Sequence, residues 1–564
     1  MARLRRMFLA GAALALAGVT GEAGAGEIVG TVTGPDGKPV SGAKVMVEEL
    51  QRGNVTGKDG RFRIAAVPGG PIKVSITASG LASDFSTVEV LEDAAAQLAV
   101  TLRKNDLIRR SAALVAEPQP EHLAQKAAYL AGLSKPKGKV PNIVLILFDD
   151  LGYGDLSSFG NRLIKTPNID GLAARGMKLT ASYASSPVCS PSRAGLLTGR
   201  YPLRSGLATH VLMPTGSNEA AYRRSRGLAN ALPADEILLP EVLQRTGYRT
   251  GLFGKWHLGD TPGHRPTDMG FAEFFGLLYP NDTEPTDLWR GTQVETPAAR
   301  FDQTTITERI ADETIAFIDR NTDKPFFAFA SFTAPHRPHF ANPHHKGLSE
   351  GGLYGDVVED LDDNVGRILT ALRERKLDDD TIVIVTSDNG GDFLASVGDL
   401  RGRKGDTFEG GMRVPAFIVW PGLTKPGSVS DEMTMNIDLF PSILSALGIP
   451  LPRDRAIDGK DIAPILAGAK SPHDHLYYTA SWAGRLEAVR DAGFKLRDPV
   501  SDDDLIARQR ATGGQGGLYN LAADNESHDV TTRHPAERQK LQGALDAMRR
   551  AVAGNPRGWV GEGR

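Results

Sequence analysis

The sequence predicts an α/β protein: a mainly parallel sheet sandwiched by helices, preceded by an all-β sandwich domain and followed by a small antiparallel subdomain. Residues 142–148 and 381–386 are almost continuously apolar, a pattern typical of strands buried on both faces of a parallel sheet. Between these runs, Val357, Leu361 and Val365 recur at helical spacing. Alternating strands and helices favour a parallel sheet whose functional groups lie beyond the carboxyl ends of its strands.

Composition and net charge exclude several classes of function. The 564 residues are 41% hydrophobic and 24% charged, which is ordinary for a folded protein and argues against a disordered chain or a coiled coil. The formal net charge is only −3, so the sequence does not favour a nucleic-acid binder. Any anionic substrate must therefore be bound by cations concentrated at one site.

Residues 1–25 have the pattern of a cleaved export signal. A basic start with arginines at positions 3, 5 and 6 precedes the apolar run 7–18, and the small residues at 23–25 suit cleavage. The apolar run is shorter than the roughly 20 residues that span a bilayer, so we expect a periplasmic or secreted protein without a transmembrane segment. The pair Arg5-Arg6 also resembles a twin-arginine signal.

Residues 26–103 are expected to form the all-β sandwich domain. Short β-prone runs at 28–32, 43–47 and 72–76 are separated by glycine-containing turns. The stretches 30–45 and 56–62 resemble the carboxypeptidase regulatory-like fold, and they contain no cluster of titratable groups. A spacer or stabilising role is favoured over sugar binding or docking, because this resemblance concerns the fold alone.

The rest of the chain divides into three further predicted segments. Residues 104–139 form a helical linker, rich in alanine and leucine up to 133 and ending in Lys-Pro-Lys-Gly-Lys. Residues 140–470 form the catalytic α/β domain, and residues 471–564 form a C-terminal subdomain. In that subdomain we expect short strands at 475–478, 486–490, 494–496 and 517–521 and a helix at 536–552.

Cys189, the only cysteine in the chain, lies in the segment Cys-Ser-Pro-Ser-Arg. Pro191 suits the first turn of a helix and Gly199 suits its end, which places Cys189 at a helix N-terminus with Arg193 about one turn away. The spacing Cys-x-Pro-x-Arg resembles the signature of the type I sulfatases. In that family the cysteine is converted to formylglycine, and the hydrated aldehyde, a geminal diol, is the nucleophile.

Four oxygen-bearing side chains follow the two apolar runs: Asp149 and Asp150 after the first, Asp388 and Asn389 after the second. Either pair alone could be a helix cap or a turn. Two pairs at two strand ends instead indicate a hard divalent cation, which prefers oxygen ligands. The resemblance to type I sulfatases implies a Ca²⁺ site formed by these four residues together with residue 189.

Further blocks supply cations and histidines. Lys255 and His257 form a Lys-x-His pair, which on an extended segment would point both side chains to one face. In the family that this sequence resembles, the matching lysine binds sulfate and the matching histidine assists collapse of the sulfated hydrate. His336 matches the histidine at the leaving-group oxygen, although His339 could serve instead. Lys404 matches a second lysine that contacts the sulfate.

The blocks appear in family order over roughly residues 140–530, and the resemblance implies an alkaline-phosphatase-like fold. It predicts an exported sulfatase that hydrolyses sulfate monoesters of a small molecule or glycan, with formylglycine made by a formylglycine-generating enzyme. Arg193, Lys255 and Lys404 would act with the metal as cations around the sulfuryl oxygens, while a histidine protonates the departing alcohol. Two alternatives stay open: a phosphonate or phosphate ester hydrolase of the same superfamily, and a non-catalytic exported carbohydrate-binding protein.

Overall fold

The computed structural model describes the chain between residues 26 and 560 with several gaps. The described ranges are 26–47, 52–78, 81, 84–91, 94–103, 118–208, 211–217, 220–221, 223, 229–283, 286–480, 484–499 and 516–560. The predicted export signal and residues 104–117 of the predicted linker lie outside the described residues. The chain divides into two compact units, which separate between Asn105 and Asp106.

The first unit is an all-β domain. Its strands are β1 (Gly26–Thr33), β2 (Lys44–Val47), β3 (Arg52–Val55), β4 (Arg61–Val67), β5 (Gly70–Thr77), β6 (Asp84–Val90) and β7 (Ala95–Thr101). They form two sheets, ordered β4-β1-β7 and β3-β2-β5-β6. Phe62 and Ile64 of β4 are buried while their chain neighbours are exposed, and they share one core with Val45 and Val74 of the other sheet. The predicted all-β sandwich is confirmed.

The second unit contains the α/β domain. Its strands are β8 (Asn142–Phe148), β9 (Met177–Tyr183), β10 (Arg249–Lys255), β11 (Glu273–Leu277), β12 (Leu288–Arg290), β13 (Gln293–Thr296), β14 (Phe326–Ser331), β15 (Thr381–Ser387), β16 (Arg413–Val419), β17 (Ser428–Ser430) and β18 (Thr434–Met435). Its α-helices are α1 (Pro120–Gly132), α2 (Pro167–Arg175), α3 (Cys189–Thr198), α4 (Leu239–Arg245), α5 (Ile306–Arg320), α6 (Gly352–Glu374), α7 (Glu409–Met412), α8 (Leu439–Ala446) and α9 (Ala463–Leu466).

These strands form one sheet in the order β13-β12-β11-β10-β14-β8-β15-β16-β9-β17, with β18 paired to β9. The five neighbours β11, β10, β14, β8 and β15 are parallel. The prediction of a mainly parallel sheet is therefore confirmed. Strand β16 runs antiparallel to β15, so it begins at the edge of the sheet where the parallel strands end.

Residues 143–148 of strand β8 are all apolar because both faces of the strand are buried. Residues 143, 145 and 147 face one hydrophobic core, which also contains residues of α4 and α8. Residues 144, 146 and 148 face a second core, which contains residues of α5 and α6, including Val357, Leu361 and Val365. Burying each such side chain contributes about 1.5–3 kcal/mol. A polar residue at any of these six positions would lose that contribution on one face or the other.

The carboxyl ends of β8, β10, β14 and β15 meet at one edge of the sheet because these strands are parallel. Gly254 of β10 allows β14 to approach closely, since a Cβ atom there would lie 1.8 Å from the main-chain oxygen of Ser331. Its φ of 115° also favours glycine. The last residues of β10 and β14, Lys255 and Ser331, are therefore held side by side at this edge.

The C-terminal subdomain belongs to the same unit. Its elements are β19 (Leu476–Ala480), β20 (Arg485–Arg490), β21 (Phe494–Arg497), β22 (Gly517–Asn520) and α10 (Pro535–Gly554). The four strands are antiparallel in chain order, and Leu541 and Leu545 of α10 share a core with Leu486 and Leu496. The predicted antiparallel subdomain is confirmed. Across the described ranges, no helix is both long and apolar enough to cross a membrane.

Candidate active site

Cys189 is the first residue of α3 and is almost completely buried. Helix α3 ends at Gly199, whose φ of 71° closes it in the left-handed conformation. The Sγ atom donates to Asp149 Oδ1 at 3.5 Å and lies 3.9 Å from Asp150 Oδ1. Burial raises the pKa of the Cys189 thiol well above its usual range, despite the nearby lysines. The unmodified thiol is therefore protonated near neutral pH and is a poor nucleophile.

Asp149 is fully buried and surrounded by cations. Its Oδ2 accepts from Lys255 Nζ at 2.6 Å, and Arg193 Nη2 lies 3.8 Å from its Oδ1. Burial alone would raise the pKa of this carboxyl group, but Lys255 first, then His336 and Arg193, outweigh it and hold the pKa below its usual range. Asp149 is thus an ionised ligand-type group in a water-poor site.

Asp150 adopts a left-handed backbone conformation with φ of 66°, which is uncommon for a residue with a side chain. Its N–H donates to Asp388 Oδ1 at 3.2 Å. Its Oδ1 accepts from Asn389 Nδ2 at 2.8 Å, and its Oδ2 accepts from Lys404 Nζ at 2.5 Å. Such backbone strain persists where surrounding contacts over-determine it, as these three contacts do here.

Asp388 and Asn389 follow β15 and face Asp149 and Asp150 across the end of the sheet. Asp388 Oδ2 accepts from Arg193 Nε at 2.9 Å. Burial raises the pKa of Asp388 to about 7, although Arg193 opposes the shift. Asn389 Oδ1 is buried and has no hydrogen-bond partner among the described residues. We refer to Asp149, Asp150, Asp388 and Asn389 as the site oxygens.

The site oxygens fit a hard divalent cation. Ligand atoms of Asp149, Asp150, Cys189 and His336 all lie within 4.8 Å of one another. An orphaned, buried amide oxygen at Asn389 is costly unless a ligand compensates it. Oxygen donors of this kind are preferred by Ca²⁺ and Mg²⁺. The structure thus brings together all five residues that the sequence analysis placed at a metal.

Arg193 is anchored from three sides. In addition to its bond to Asp388, its Nη1 donates to Ser331 Oγ at 2.6 Å and to the Lys255 main-chain oxygen at 3.1 Å. Ser331 Oγ in turn donates to the same Lys255 oxygen at 2.7 Å. Arg193 Nη2 is buried and has no hydrogen-bond partner within the described part of the chain. The guanidinium group is held rigidly while one of its nitrogens stays available to a bound anion.

The prediction that Lys255 and His257 share an extended segment is wrong for His257. Strand β10 ends at Lys255, and His257 has a left-handed φ of 64°. Its Nε2 donates to the Leu212 main-chain oxygen at 2.9 Å, because that carbonyl can only accept. Nδ1 therefore carries the lone pair, and it is buried without a partner among the described residues. Burial and then Lys255 lower the pKa of His257 well below its usual range, so the ring is a neutral base.

His336 reaches the site and His339 does not. Nε2 of His336 lies 3.6 Å from Asp150 Oδ2, while Nδ1 faces the Arg337 main-chain oxygen at 2.6 Å and Asn281 Oδ1 at 3.1 Å. Burial and then Lys404 lower the pKa of His336. His339 instead packs edge-on against the Tyr354 ring, with 5.3 Å between ring centroids.

Lys404 projects from a tightly folded loop that precedes α7. Its N–H donates to the Gly391 main-chain oxygen at 2.9 Å, and the N–H of Gly405 donates to Pro187 near Cys189 at 2.8 Å. The C-terminal subdomain contacts the end of the same loop, since Glu526 Oε2 accepts a hydrogen bond from the N–H of Glu409, the first residue of α7, at 2.6 Å. Together with Arg193 and Lys255, Lys404 forms a set that we call the site cations.

The other arginines of this loop do not join the site cations. Arg401 lies over the Phe408 ring, 4.1 Å from its centroid, and donates to the Glu526 main-chain oxygen at 2.6 Å. Arg403 lies over the Phe393 ring at 5.0 Å. Ser331 and Asn281 were not predicted from the sequence. Ser331 is the last residue of β14, and Asn281 lies shortly after the end of β11. A position near the end of a buried strand is the only sequence signal that they carry.

The fold and this constellation are those of an alkaline-phosphatase-like hydrolase. The sulfatase family model matches residues 141–449, more than half of the chain, so the protein belongs to the sulfatase family. A model of the N-sulphoglucosamine sulphohydrolase C-terminal region matches residues 404–498, and the carboxypeptidase regulatory-like domain matches residues 27–103. The protein is thus a sulfuric ester hydrolase with a carboxypeptidase regulatory-like N-terminal domain.

Individual relatives agree with this assignment. Steryl-sulfatase of Rattus norvegicus is 36% identical in an alignment of 428 residues. The match covers 60% of this chain and 73% of that protein. N-acetylgalactosamine-6-sulfatase of Sus scrofa is 39% identical in an alignment of 360 residues. The match covers 60% of this chain and 68% of that protein. Among solved structures, the PsFucS1 sulfatase from Pseudoalteromonas sp. has a TM-score of 0.66 at 26% identity, covering 79% of this chain and 97% of that chain.

Proposed function

We propose that the protein hydrolyses sulfate monoesters with formylglycine, formed from Cys189, as the nucleophile and Ca²⁺ bound by residue 189 and the site oxygens. The observation that supports this most strongly is the convergence of the three site cations and the site oxygens around one buried cysteine at a helix N-terminus. A sulfate ester carries negative charge that moves onto the leaving oxygen as the S–O bond breaks, which such cations would stabilise.

The properties of Cys189 support its conversion. A buried thiol with a raised pKa would attack a sulfate ester poorly, whereas hydrated formylglycine supplies a geminal diol whose hydroxyl can act as the nucleophile. Because Cys189 is almost fully buried, a formylglycine-generating enzyme would have to reach it before folding is complete. Modification and folding before export would suit the twin-arginine pattern of residues 1–25, and we propose a periplasmic or secreted location.

Charge balance supports a divalent cation in the site. With all three carboxylates ionised, the three site cations leave no net positive charge to bind an anionic substrate. A Ca²⁺ ion would leave a net charge of about +2 and would polarise the oxygens bound to it. The free Asn389 Oδ1 offers it a neutral ligand.

The chain's own residues would divide the remaining work. Arg193 Nη2, which has a free donor, and Lys255 and Lys404 would bind the sulfuryl oxygens. His336 would first take up a second proton, so that Nδ1 and Nε2 are both protonated, and would then give the Nε2 proton to the alcohol that departs when the S–O bond breaks, since Nε2 points into the site. His257, a neutral base with its Nδ1 lone pair free, would accept a proton from residue 189 when sulfate is released.

The names of the relatives support a sulfated small molecule or glycan as the substrate. Their names refer to steryl sulfates and to N-acetylgalactosamine-6-sulfate, which have very different alcohol groups. We therefore propose a sulfate monoester whose alcohol part is chosen by the loops around His336 and Lys404.

Sulfate release by Cys189→Ala tests the proposal. This variant should retain its circular dichroism spectrum, yet lose turnover of aryl and sugar sulfates. Full activity of the variant would overturn the nucleophile assignment. Assaying a phenyl phosphonate ester in parallel tests the alternative, because faster turnover of the phosphonate would make the protein a phosphonate ester hydrolase.

A further inference from the structure

The side chain of His336 is held by a residue from outside its own loop. Asn281 Oδ1 lies 3.1 Å from His336 Nδ1, and Asn281 Nδ2 donates to the Pro338 main-chain oxygen at 3.1 Å. Both Asn281 and His336 are buried. One amide group thus contacts the histidine ring and the main chain two residues further on.

The orientation of the Asn281 amide follows from these partners. A main-chain carbonyl can only accept, so the atom facing Pro338 must be the amide nitrogen and the atom facing His336 must be the oxygen. The Arg337 main-chain oxygen also faces His336 Nδ1, at 2.6 Å. Two acceptors at one nitrogen require that Nδ1 carries a proton, which leaves Nε2 toward the reaction centre.

The segment that contains Asn281 supports both histidines of the site. The main-chain oxygens of Leu277 and Leu278 accept from Trp256 at 2.9 Å and His257 at 3.0 Å. Tyr279 places its ring edge-on to His257, with 5.8 Å between centroids. We call residues 277–281 the histidine-supporting segment. The Arg337 oxygen belongs to the same loop as His336, whereas Asn281 follows β11 and lies outside that loop.

We propose that Asn281 is a positioning residue that holds His336 with its Nε2 directed at the leaving-group oxygen. This inference rests on the proposed role of His336 as proton donor. Removing the Asn281 oxygen would leave the ring attached only to its own loop, so that Nε2 would face the leaving group less often. The loss should be largest for poor leaving groups, because a good leaving group departs without a proton.

The test compares Asn281→Leu, which removes the acceptor, with Asn281→Asp, which keeps it. For Asn281→Leu we expect kcat for phenyl sulfate to fall by about 10-fold or more, and kcat for 4-nitrophenyl sulfate by less than about 3-fold, with KM little changed. Asn281→Asp keeps an acceptor for His336 Nδ1 but loses the donor to the Pro338 main-chain oxygen, so its kcat for phenyl sulfate should fall less than that of Asn281→Leu. Gln303→Leu is the matched control, since Gln303 donates to the main-chain oxygen of Asn281 at 3.1 Å and not to its amide group.

His336→Ala separates this inference from the proposed function. If the loss of kcat in His336→Ala depends steeply on the leaving group and the loss in Asn281→Leu does not, Asn281 has no positioning role. If the loss of kcat in His336→Ala does not depend on the leaving group, the proposed proton donor is wrong. The orientation of the His336 ring must then be measured without turnover.

A spectroscopic measurement tests the positioning role without turnover. Nitrogen-15 NMR of histidine-labelled Cys189→Ala protein reports which ring nitrogen carries the proton, and comparison with His336→Gln assigns the signal among the 12 histidines. We expect the neutral ring of His336 to carry its one proton on Nδ1, and to show a mixture of the two tautomers when Asn281→Leu is added; the second proton that His336 donates would then be bound at Nε2. Unchanged His336 signals in that double variant would overturn the inference.

Discussion

Replacing Lys404 by methionine tests the contribution of one site cation. Methionine has a similar length but no charge, and Lys404 has a side chain that is only 13% exposed, with its Nζ 2.5 Å from Asp150 Oδ2. Two unit charges about 4 Å apart interact by about 4 kcal/mol at an effective dielectric constant of about 20. Loss of one preorganised donor to a developing oxyanion typically lowers kcat by about 10²–10³. We therefore expect kcat/KM for sulfate esters to fall by about 10²–10³ in Lys404→Met.

The assay measures kcat/KM for sulfate release and, separately, Ca²⁺ affinity by calorimetry. Lys404→Met should bind Ca²⁺ at least as tightly as wild type, because Asp150 loses a competing cation. Arg403→Met is the matched control: it removes the neighbouring charge, but Arg403 lies over Phe393 outside the site. Equal losses in the two variants would refute the reasoning, since they would show that only the overall charge of the loop matters.

Three further predictions concern the supports of the site. Ser331→Ala removes a hydrogen bond from the charged Arg193, worth about 1.5–3 kcal/mol, so kcat/KM should fall by about 10- to 100-fold; unchanged kinetics would show that Ser331 does not fix Arg193. Asn389→Leu removes the free buried oxygen, so Ca²⁺ titration should show weaker binding, and EGTA should lower Tm less than in wild type; equal affinity would place the ion elsewhere. Burial raises the pKa of Glu526 from its usual value to about 7, so the folded state binds the extra proton and stability should fall as pH rises from about 5 to 7. Glu526→Gln should flatten this dependence of Tm on pH. The same pH dependence in the variant and the wild type would show that groups other than Glu526 cause it.

Glu526 also belongs to a group of contacts that joins the C-terminal subdomain to the loop that carries Lys404. Glu526 and Glu409 both face Lys495, at 3.0 and 3.1 Å. Arg497 donates to Thr407 at 2.9 Å. These contacts connect the C-terminal sheet to the loop that carries Lys404. The C-terminal subdomain therefore helps to position the loop that carries Lys404, which we propose contacts the sulfate.

The sequence was most informative where one physical requirement governs a whole run of residues. A strand in the middle of a covered parallel sheet must be apolar on both faces, so β8 and β15 could be recognised directly. Parallel strands end at one edge, so Asp149 and Asp388 could be expected together. The helix bounded by Cys189 and Gly199 follows from local conformational preferences, and the structure has it at Cys189–Thr198.

Single supporting residues could not be predicted in this way. Ser331 and Asn281 are ordinary polar residues whose roles depend on which strand or loop folds beside them. The left-handed conformation of His257 arises from tertiary contacts, including the bond from its N–H to Leu278 at 3.0 Å. Arg401 resembles a solvated loop cation in sequence, but aromatic stacking on Phe408 is visible only in three dimensions.

The state of residue 189 tests the central claim most directly. Trypsin should release residues 179–193 as one peptide that contains the chain's only cysteine, so mass spectrometry of protein from its native host reports on a single position. The proposed mechanism predicts an aldehyde or its hydrate at position 189 in active protein. An intact Cys189 thiol in fully active protein would contradict it, because the site would then hydrolyse sulfate esters without the formylglycine nucleophile.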